Sequence, residues 1–314
     1  MSHLAAILAT PQLRIVALVD PDAAMRGQVD TGAPEMDGVT IAESIDAVRG
    51  SADVVAICTP AETHAPILKQ ALRLSPRVVI CEKPLAMDLA TAREMVALSD
   101  RAGVELRINF HRRFNALHRK WRAKASGVPR AVTVRYGKGL WNYASHAVDL
   151  LLDWYGPVTE VRGLSMSGTG DPLLTFACRM SAGFDAVFVA IEGAAYDSLE
   201  IDIFHADHRI EMRGGGAEMI RYRPMADLYY RGYAHLVEDA EDHERAPVSG
   251  FAELYAAIAA HLHDGEPLPG CDGACALANM AILDAAVRSI KQDGAPMRPQ
   301  VALGADTPAR ARMN

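Results

Sequence analysis

Cys81-Glu82-Lys83-Pro84 closes the run Arg77-Val78-Val79-Ile80. Four β-compatible residues followed at once by an acid, a base and an imino acid predict the C-terminal end of a buried strand. In open α/β sheets that is where ligands bind. Pro84 has no N–H and biases Lys83 toward extended backbone, so the ammonium group is held in place and is predicted to point into an active site. A second candidate is His146, in Asn142-Tyr143-Ala144-Ser145-His146-Ala147-Val148-Asp149. On a helix, Asn142 and His146 share a face. Asp149, three residues further on, is placed to orient the imidazole. Imidazole titrates near neutrality and a nearby ammonium group can polarise an alcohol, so Lys83, Asn142 and His146 form a candidate proton-transfer set.

The elements needed to hold such a set are legible upstream. Leu13-Arg14-Ile15-Val16-Ala17-Leu18-Val19 is a β-rich run ending in Asp20, and Asp53-Val54-Val55-Ala56-Ile57-Cys58 ends at Thr59-Pro60. Continuous rather than alternating apolarity indicates strands covered on both faces, as in parallel sheets. Helices are predicted over residues 3–9, 41–48, 62–74 and 88–102, with further strands over 77–81 and 104–109. Strands alternating with helices in this way imply βαβ units and a Rossmann-like, doubly wound parallel sheet. Asp20 matters there, because an acid ending the second strand of a dinucleotide fold accepts hydrogen bonds from the adenosine ribose and repels a 2′-phosphate. A turn or helix-cap aspartate would look the same in Asp20-Pro21-Asp22.

A dinucleotide site also needs a first strand and a glycine-rich turn, and the sequence contains no Gly-x-Gly-x-x-Gly. Residues 3–9 look like the helix that follows such a turn. The expectation is that the natural start lies further upstream, or that this is a piece of a longer chain. Gly214-Gly215-Gly216 lies between two strand-like runs and reads as a hairpin turn.

Beyond residue 112 the texture changes. Residues 114–125 read as a helix, 131–136 as an alternating strand and 141–155 as a helix carrying His146. Short strands are expected over 158–163, 173–180, 184–192, 199–204, 208–213 and 219–223, forming an open, mostly antiparallel sheet. Residues 251–262 and 274–292 read as closing helices. The tail after Pro296 reads as a final strand and then a disordered end. The chain therefore divides into a dinucleotide-binding unit, 1–112, lacking its first strand, and an α/β substrate and oligomerisation unit, 113–314.

With 314 residues, 50% of them hydrophobic and 23% charged, each unit can bury a core. A net charge of −7 argues against a general nucleic-acid or membrane-surface role. No apolar run of about 18 residues predicts a spanning helix, and residues 4–9 are too short, and lack the basic flank, for a signal peptide. The five cysteines are an odd number in a long chain and read as reduced cytoplasmic thiols. Cys271 and Cys275 suggest a loop entering a helix rather than a metal site, and His205, His208, His261 and His263 read as surface histidines, so no metal is expected.

Ala17-Leu18-Val19-Asp20-Pro21-Asp22, Cys58-Thr59-Pro60…Thr63-His64, Cys81-Glu82-Lys83-Pro84-Leu85-Ala86, Arg112-Arg113-Phe114 and Ser145-His146-Ala147-Val148-Asp149 together resemble the Gfo/Idh/MocA family of NAD(P)-dependent oxidoreductases. The resemblance runs from residue 3 to about 299 and weakens through 160–270. It implies a Rossmann domain followed by an α/β domain whose open sheet serves oligomerisation, as a dimer or tetramer. It also implies that Asp20 holds the adenosine ribose, with NAD preferred to NADP. Thr59, Pro60 and His64 would line the cofactor, and Glu82 would lie beside the nicotinamide ribose. Lys83 would contact the alcohol of a small sugar, cyclitol or polyol substrate, with His146 as general acid/base. The chain departs from the family pattern at Asn142, where an aspartate is usual, and at Ala144, usually glycine. Asparagine cannot take a proton, which leaves it the orientation of substrate. Trp141, Tyr143, Arg112 and Arg113 are expected to line the pocket, the arginines hinting at an anionic sugar. The competing expectation is a non-catalytic binding or regulatory protein that kept the fold and lost the cofactor.

Overall fold

The β-rich runs of the first third do become parallel strands, but they form two sheets. The computed structural model describes residues 2–300. After helix α1 (His3–Leu8), strand β1 (Ala17–Val19) leads through α2 (Ala23–Arg26) to β2 (Thr40–Ala42), and these two strands pair in parallel as a sheet of their own. The expected helix over 41–48 is therefore wrong. Thr40–Ala42 joins the ladder, and only Ile45–Ala47 turns, as a short 3₁₀ segment. Its apolar spacing fitted a helix, but pairing with β1 overrode that local preference.

The second sheet contains β3 (Val54–Ile57), β4 (Val78–Cys81) and β5 (Glu105–Ile108), linked through α3 (His64–Ala71) and α4 (Leu89–Ala102). All four residues of β4 are buried, as its unbroken apolarity requires of a strand covered on both faces. Asp88 caps α4 by accepting from the Thr91 amide at 2.8 Å, and Gly103 ends the helix in the left-handed region at φ 68°.

The rest of the chain builds a larger sheet. Helix α5 (Ala116–Lys124) precedes β6 (Ala131–Tyr136), and α6 (Ser145–Tyr155) precedes β7 (Val158–Ser167), β8 (Leu173–Met180) and β9 (Asp185–Ala190). Strands β10 (Leu199–Phe204), β11 (Arg209–Arg213), β12 (Glu218–Ala226) and β13 (Ala234–Arg245) complete it in the order β13-β12-β11-β10-β6-β9-β8-β7. All neighbouring pairs are antiparallel except β6 with β9. Alternating burial along β6 and β8 turns one face onto Trp121, Leu150 and Leu151. Strand β13 was not anticipated. Its residues Glu238, Asp239, Glu241, Asp242, Glu244 and Arg245 lack the apolar alternation that marks a half-buried strand.

The chain then returns to the first region. Helix α7 (Phe251–Asp264) packs on α1, and β14 (Cys271–Asp272) pairs antiparallel with β5. Cys271 is thus in a strand rather than a loop, and Asp272 caps the final helix α8 (Gly273–Ile290) by accepting from the Cys275 amide. By length and composition α8 could cross a membrane, at a mean hydropathy of 1.3. Here Leu277, Met280 and Ala281 enter the core of the parallel sheet, while Ile282, Leu283 and Ala286 enter that of the large sheet. Beyond α8, Met297 bridges to Val161. The rest of the expected tail, residues 301–314, lies outside the described residues.

Candidate active site

Lys83 leaves the C-terminal end of β4 as the strand pattern demanded. Its ammonium donates to Asn142 at the backbone oxygen, 3.0 Å away, and at the side-chain carboxamide oxygen. Burial pulls its pKa below the ordinary lysine value, and the charge of Arg112 adds to the effect. Glu82 turns the other way. His3 Nε2 lies 2.9 Å and Asn109 Nδ2 2.6 Å from one of its carboxylate oxygens. Burial opposes ionisation of Glu82, but these hydrogen bonds outweigh it and hold the carboxyl below its usual range.

The partner segment has unusual geometry. Residues Leu140–Ala144 wind as a π-helix, continuous with α6. Such wide turns recur at functional sites because they re-aim side chains within a helix. Asp171 anchors this one, accepting from the Trp141 and Asn142 amides at 2.9 Å each. Gly139, at φ 95°, lets that carboxylate approach, because a Cβ there would collide with it. From below, the buried Asn279 of α8 donates to the Ser145 carbonyl at 2.8 Å.

His146 sits one turn beyond Asn142 and is buried. The Phe110 and His111 rings meet it edge-on at 5.7 and 5.6 Å between centroids. Desolvation, with the charges of Arg112 and Lys83, pushes its pKa well below the ordinary value, so the imidazole is neutral at physiological pH. Its Nδ1 is buried without a hydrogen-bond partner among the described residues. His111 stacks on Phe251 at 5.6 Å, and burial pulls its pKa down to about 4.

Several expected roles are corrected here. Asp149 does not orient His146. It takes a two-pronged bond from Arg113 instead, at 2.8 and 2.7 Å. Burial pulls the Asp149 carboxyl up while Arg113 pulls it down, and the fork geometry keeps this coupled pair ionised. Arg113 is therefore a structural cation and not an anion receptor. Arg112 is buried and donates to the Gly215 carbonyl at 3.1 and 2.9 Å. Gly214-Gly215-Gly216 accordingly does more than turn a hairpin. His64 ties two loops together, its ring nitrogens lying 3.1 and 2.8 Å from the carbonyl oxygens of Leu85 and Thr59, so neither is free for a ligand. His205 and His208 are half-buried and stacked at 4.2 Å, not surface residues.

Thr59 and Pro60 follow β3 at the same strand end as Lys83, with Thr63 Oγ1 donating to Thr59 Oγ1 at 2.7 Å. Asp20 follows β1, and one of its carboxylate oxygens accepts from the Asp22 amide at 2.8 Å, the turn role that its sequence also allowed. Its other oxygen has no partner among the described residues. His3, Asn109, His111 and Asp171 escaped the sequence reading. Asn109, directly after β5, was recoverable as another polar residue at a parallel strand end. The other three act through contacts more than 25 residues away in the chain.

The polar groups thus gather at the carboxyl ends of parallel strands, against a helix carrying a neutral histidine. This is the arrangement of a nucleotide-dependent oxidoreductase. Residues 1–110 match the model of an oxidoreductase family with an NAD-binding Rossmann fold, GFO_IDH_MocA. The chain is 26% identical over 279 residues to an inositol 2-dehydrogenase of Rhizobium meliloti, covering 79% of this chain and 82% of that one. It is 40% identical over 110 residues to a 1,5-anhydro-D-fructose reductase of Ensifer adhaerens, which is 34% of this chain and 31% of that one. An oxidoreductase from Agrobacterium radiobacter, solved with NAD⁺, L-tartaric acid and magnesium, superposes with a TM-score of 0.74 at 16% identity over 94% of each chain. Residues 1–110 thus match the Gfo/Idh/MocA oxidoreductases, and the relatives named are dehydrogenases and reductases.

Proposed function

We propose that the protein interconverts an alcohol and a ketone on a sugar, cyclitol or related polyol, using NAD. One observation carries this reading: Lys83, at the end of β4, is clamped to Asn142 on the same helical segment that presents His146. Lys83 is a cation that can hold an alcohol oxygen, and the neutral imidazole of His146, one helical turn beyond Asn142, can accept its proton. The inositol dehydrogenase and anhydrofructose reductase relatives support a polyol as the substrate class.

The residues present fit the two ribose ends of the cofactor. Asp20 retains an unpartnered carboxylate oxygen for an adenosine ribose, which supports NAD over NADP. Glu82, fixed by His3 and Asn109, and the Thr59-Pro60 turn stand at the strand ends where the nicotinamide half would lie. When bound, NAD supplies the hydride acceptor. In alcohol oxidation, Lys83 orients the hydroxyl, and its charge favours the developing alkoxide. His146 accepts the hydroxyl proton as general base and returns it in the reverse direction. Asn142 holds Lys83 and takes no proton.

The test is steady-state kinetics with NAD and a panel of polyols, for the protein and two variants. Lys83→Met and His146→Ala are expected to lower kcat by about 10²–10⁴ with the fold retained by circular dichroism. Full turnover in both would refute the site. Absence of any NADH fluorescence change on titration would instead support the non-catalytic alternative.

A further inference from the structure

Gly139, which precedes the π-helical segment, has no side chain with which to cap it. The turn between β7 and β8 does so instead. Asp171 accepts from the Trp141 amide with one carboxylate oxygen and from the Asn142 amide with the other, at 2.9 Å each. The next residue adds a backbone bond, the Pro172 carbonyl accepting from the Leu140 amide at 2.8 Å. Three consecutive amides are thus held by Asp171-Pro172, which fixes where Asn142 places its two oxygens. Among the described residues, those oxygens are the only acceptors of the Lys83 ammonium. Both belong to a neutral residue, so Lys83 has no direct ion-pair partner there. The titratable and charged groups around it are Glu82 on its own strand, His111 and Arg112 of the 3₁₀ turn, His146 of α6 and Asp171. Arg112 opposes the ammonium charge, while Glu82 and Asp171 favour it. The Glu82 carboxylate is already bonded by His3 and Asn109. Asp171 is the carboxylate that stands behind Asn142.

We propose that Asp171 is a positioning residue for the reaction: it sets the place of Asn142, supplies the countercharge behind it, and so fixes the Lys83 ammonium against the substrate hydroxyl. This rests on the reading that Lys83 orients the alcohol. Asp171 bonds the backbone of the segment and not the reacting atoms, so it acts through Asn142 and Lys83. A carboxylate locked between two amides is preorganised, and it needs no rearrangement when charge develops on the substrate oxygen.

Asp171→Asn keeps the size of the side chain, sets an N–H donor against one of the two amides and removes the charge. With the fold checked by circular dichroism, kcat for polyol oxidation should fall about 10–10²-fold through the misplaced ammonium. KM for NAD should stay within about twofold, since uniform cofactor binding is untouched. Competitive acetylation of Lys83 in the free protein, followed by mass spectrometry against pH, supplies a readout independent of turnover. Loss of the Asp171 charge favours the neutral amine, so the midpoint should move to lower pH, and the alkaline limb of kcat should move with it. A side chain that only stabilised the turn would lower Tm and leave both midpoints in place, which would overturn the proposal. In a second variant, Asp171→Ala, formate can accept from the same two amides and should restore part of the lost kcat at concentrations that leave the parent unchanged. No recovery in a folded Asp171→Ala would overturn the clamp. Parent-like kcat and unmoved midpoints in Asp171→Asn, with Lys83→Met still impaired, would overturn this inference alone and leave the reading of the site standing. Full turnover in Lys83→Met would overturn both.

Discussion

At the scale of the residue, the candidate chemistry depends on histidines kept neutral by burial. His146 is held well below its ordinary pKa, and His111 and His118 are each pulled down to about 4. The unfolded chain takes up these protons near the ordinary histidine value of 6.5, whereas the folded chain resists until about 4. The unfolded state therefore binds more protons across that window. Stability falls as pH drops from about 6.5 toward 4 and is insensitive to these groups above it. Each such histidine contributes a slope of up to about 1.4 kcal/mol per pH unit. Replacing His111 by Phe keeps the stacking on Phe251 and removes one titrating group. Urea unfolding between pH 4 and 7 should then show a shallower acid loss than the parent. Equal slopes would mean that His111 is not held neutral.

At the scale of the element, a side chain's role was decided by which segment it met. Asp149 stands where a helix could aim it at His146, yet the 3₁₀ turn His111–Arg113 delivers Arg113 to it first. Arg113→Met would leave the Asp149 carboxylate, only 1% exposed, without its cation, at a cost of about 3–5 kcal/mol. Denaturant midpoints should show that loss, and Asp149→Leu added to it should recover most of the stability. If the double variant is no better than the single, the cost lies in packing and not in stranded charge. The π-helical segment shows the same dependence. The sequence marks a helix carrying Asn142 and His146, but Asp171 and Gly139 supply the wide turn.

At the scale of the whole molecule, α8 joins the two halves, since Leu277 packs against the parallel sheet and Leu283 against the large one. Leu283→Ala should cost about 2–5 kcal/mol through lost burial and an unfilled cavity. Because one helix serves both cores, the loss should appear in both. Trp141 touches both cores, so in a Trp141→Phe background tryptophan fluorescence reports the large sheet through Trp121 and Trp154, and hydrogen exchange of the β4 amides reports the parallel one. Both should shift together. A shift confined to fluorescence would show that the halves unfold independently.

Strands β3, β4 and β5, the helices α3 and α4 between them and the Glu82-Lys83-Pro84 strand end were legible in the sequence, because unbroken apolarity, caps and strand-end polarity are local signals, whereas β2 reads as a helix. So were the spacing of Asn142 and His146 and the want of a glycine-rich turn. What only the tertiary structure decided was partnership. His64 fastens loops, Arg112 and Arg113 are bound inside the protein, and His3 and Asn109 hold Glu82. Local sequence sets what a residue can do, but hydrogen bonds and burial are settled by neighbours distant in the chain.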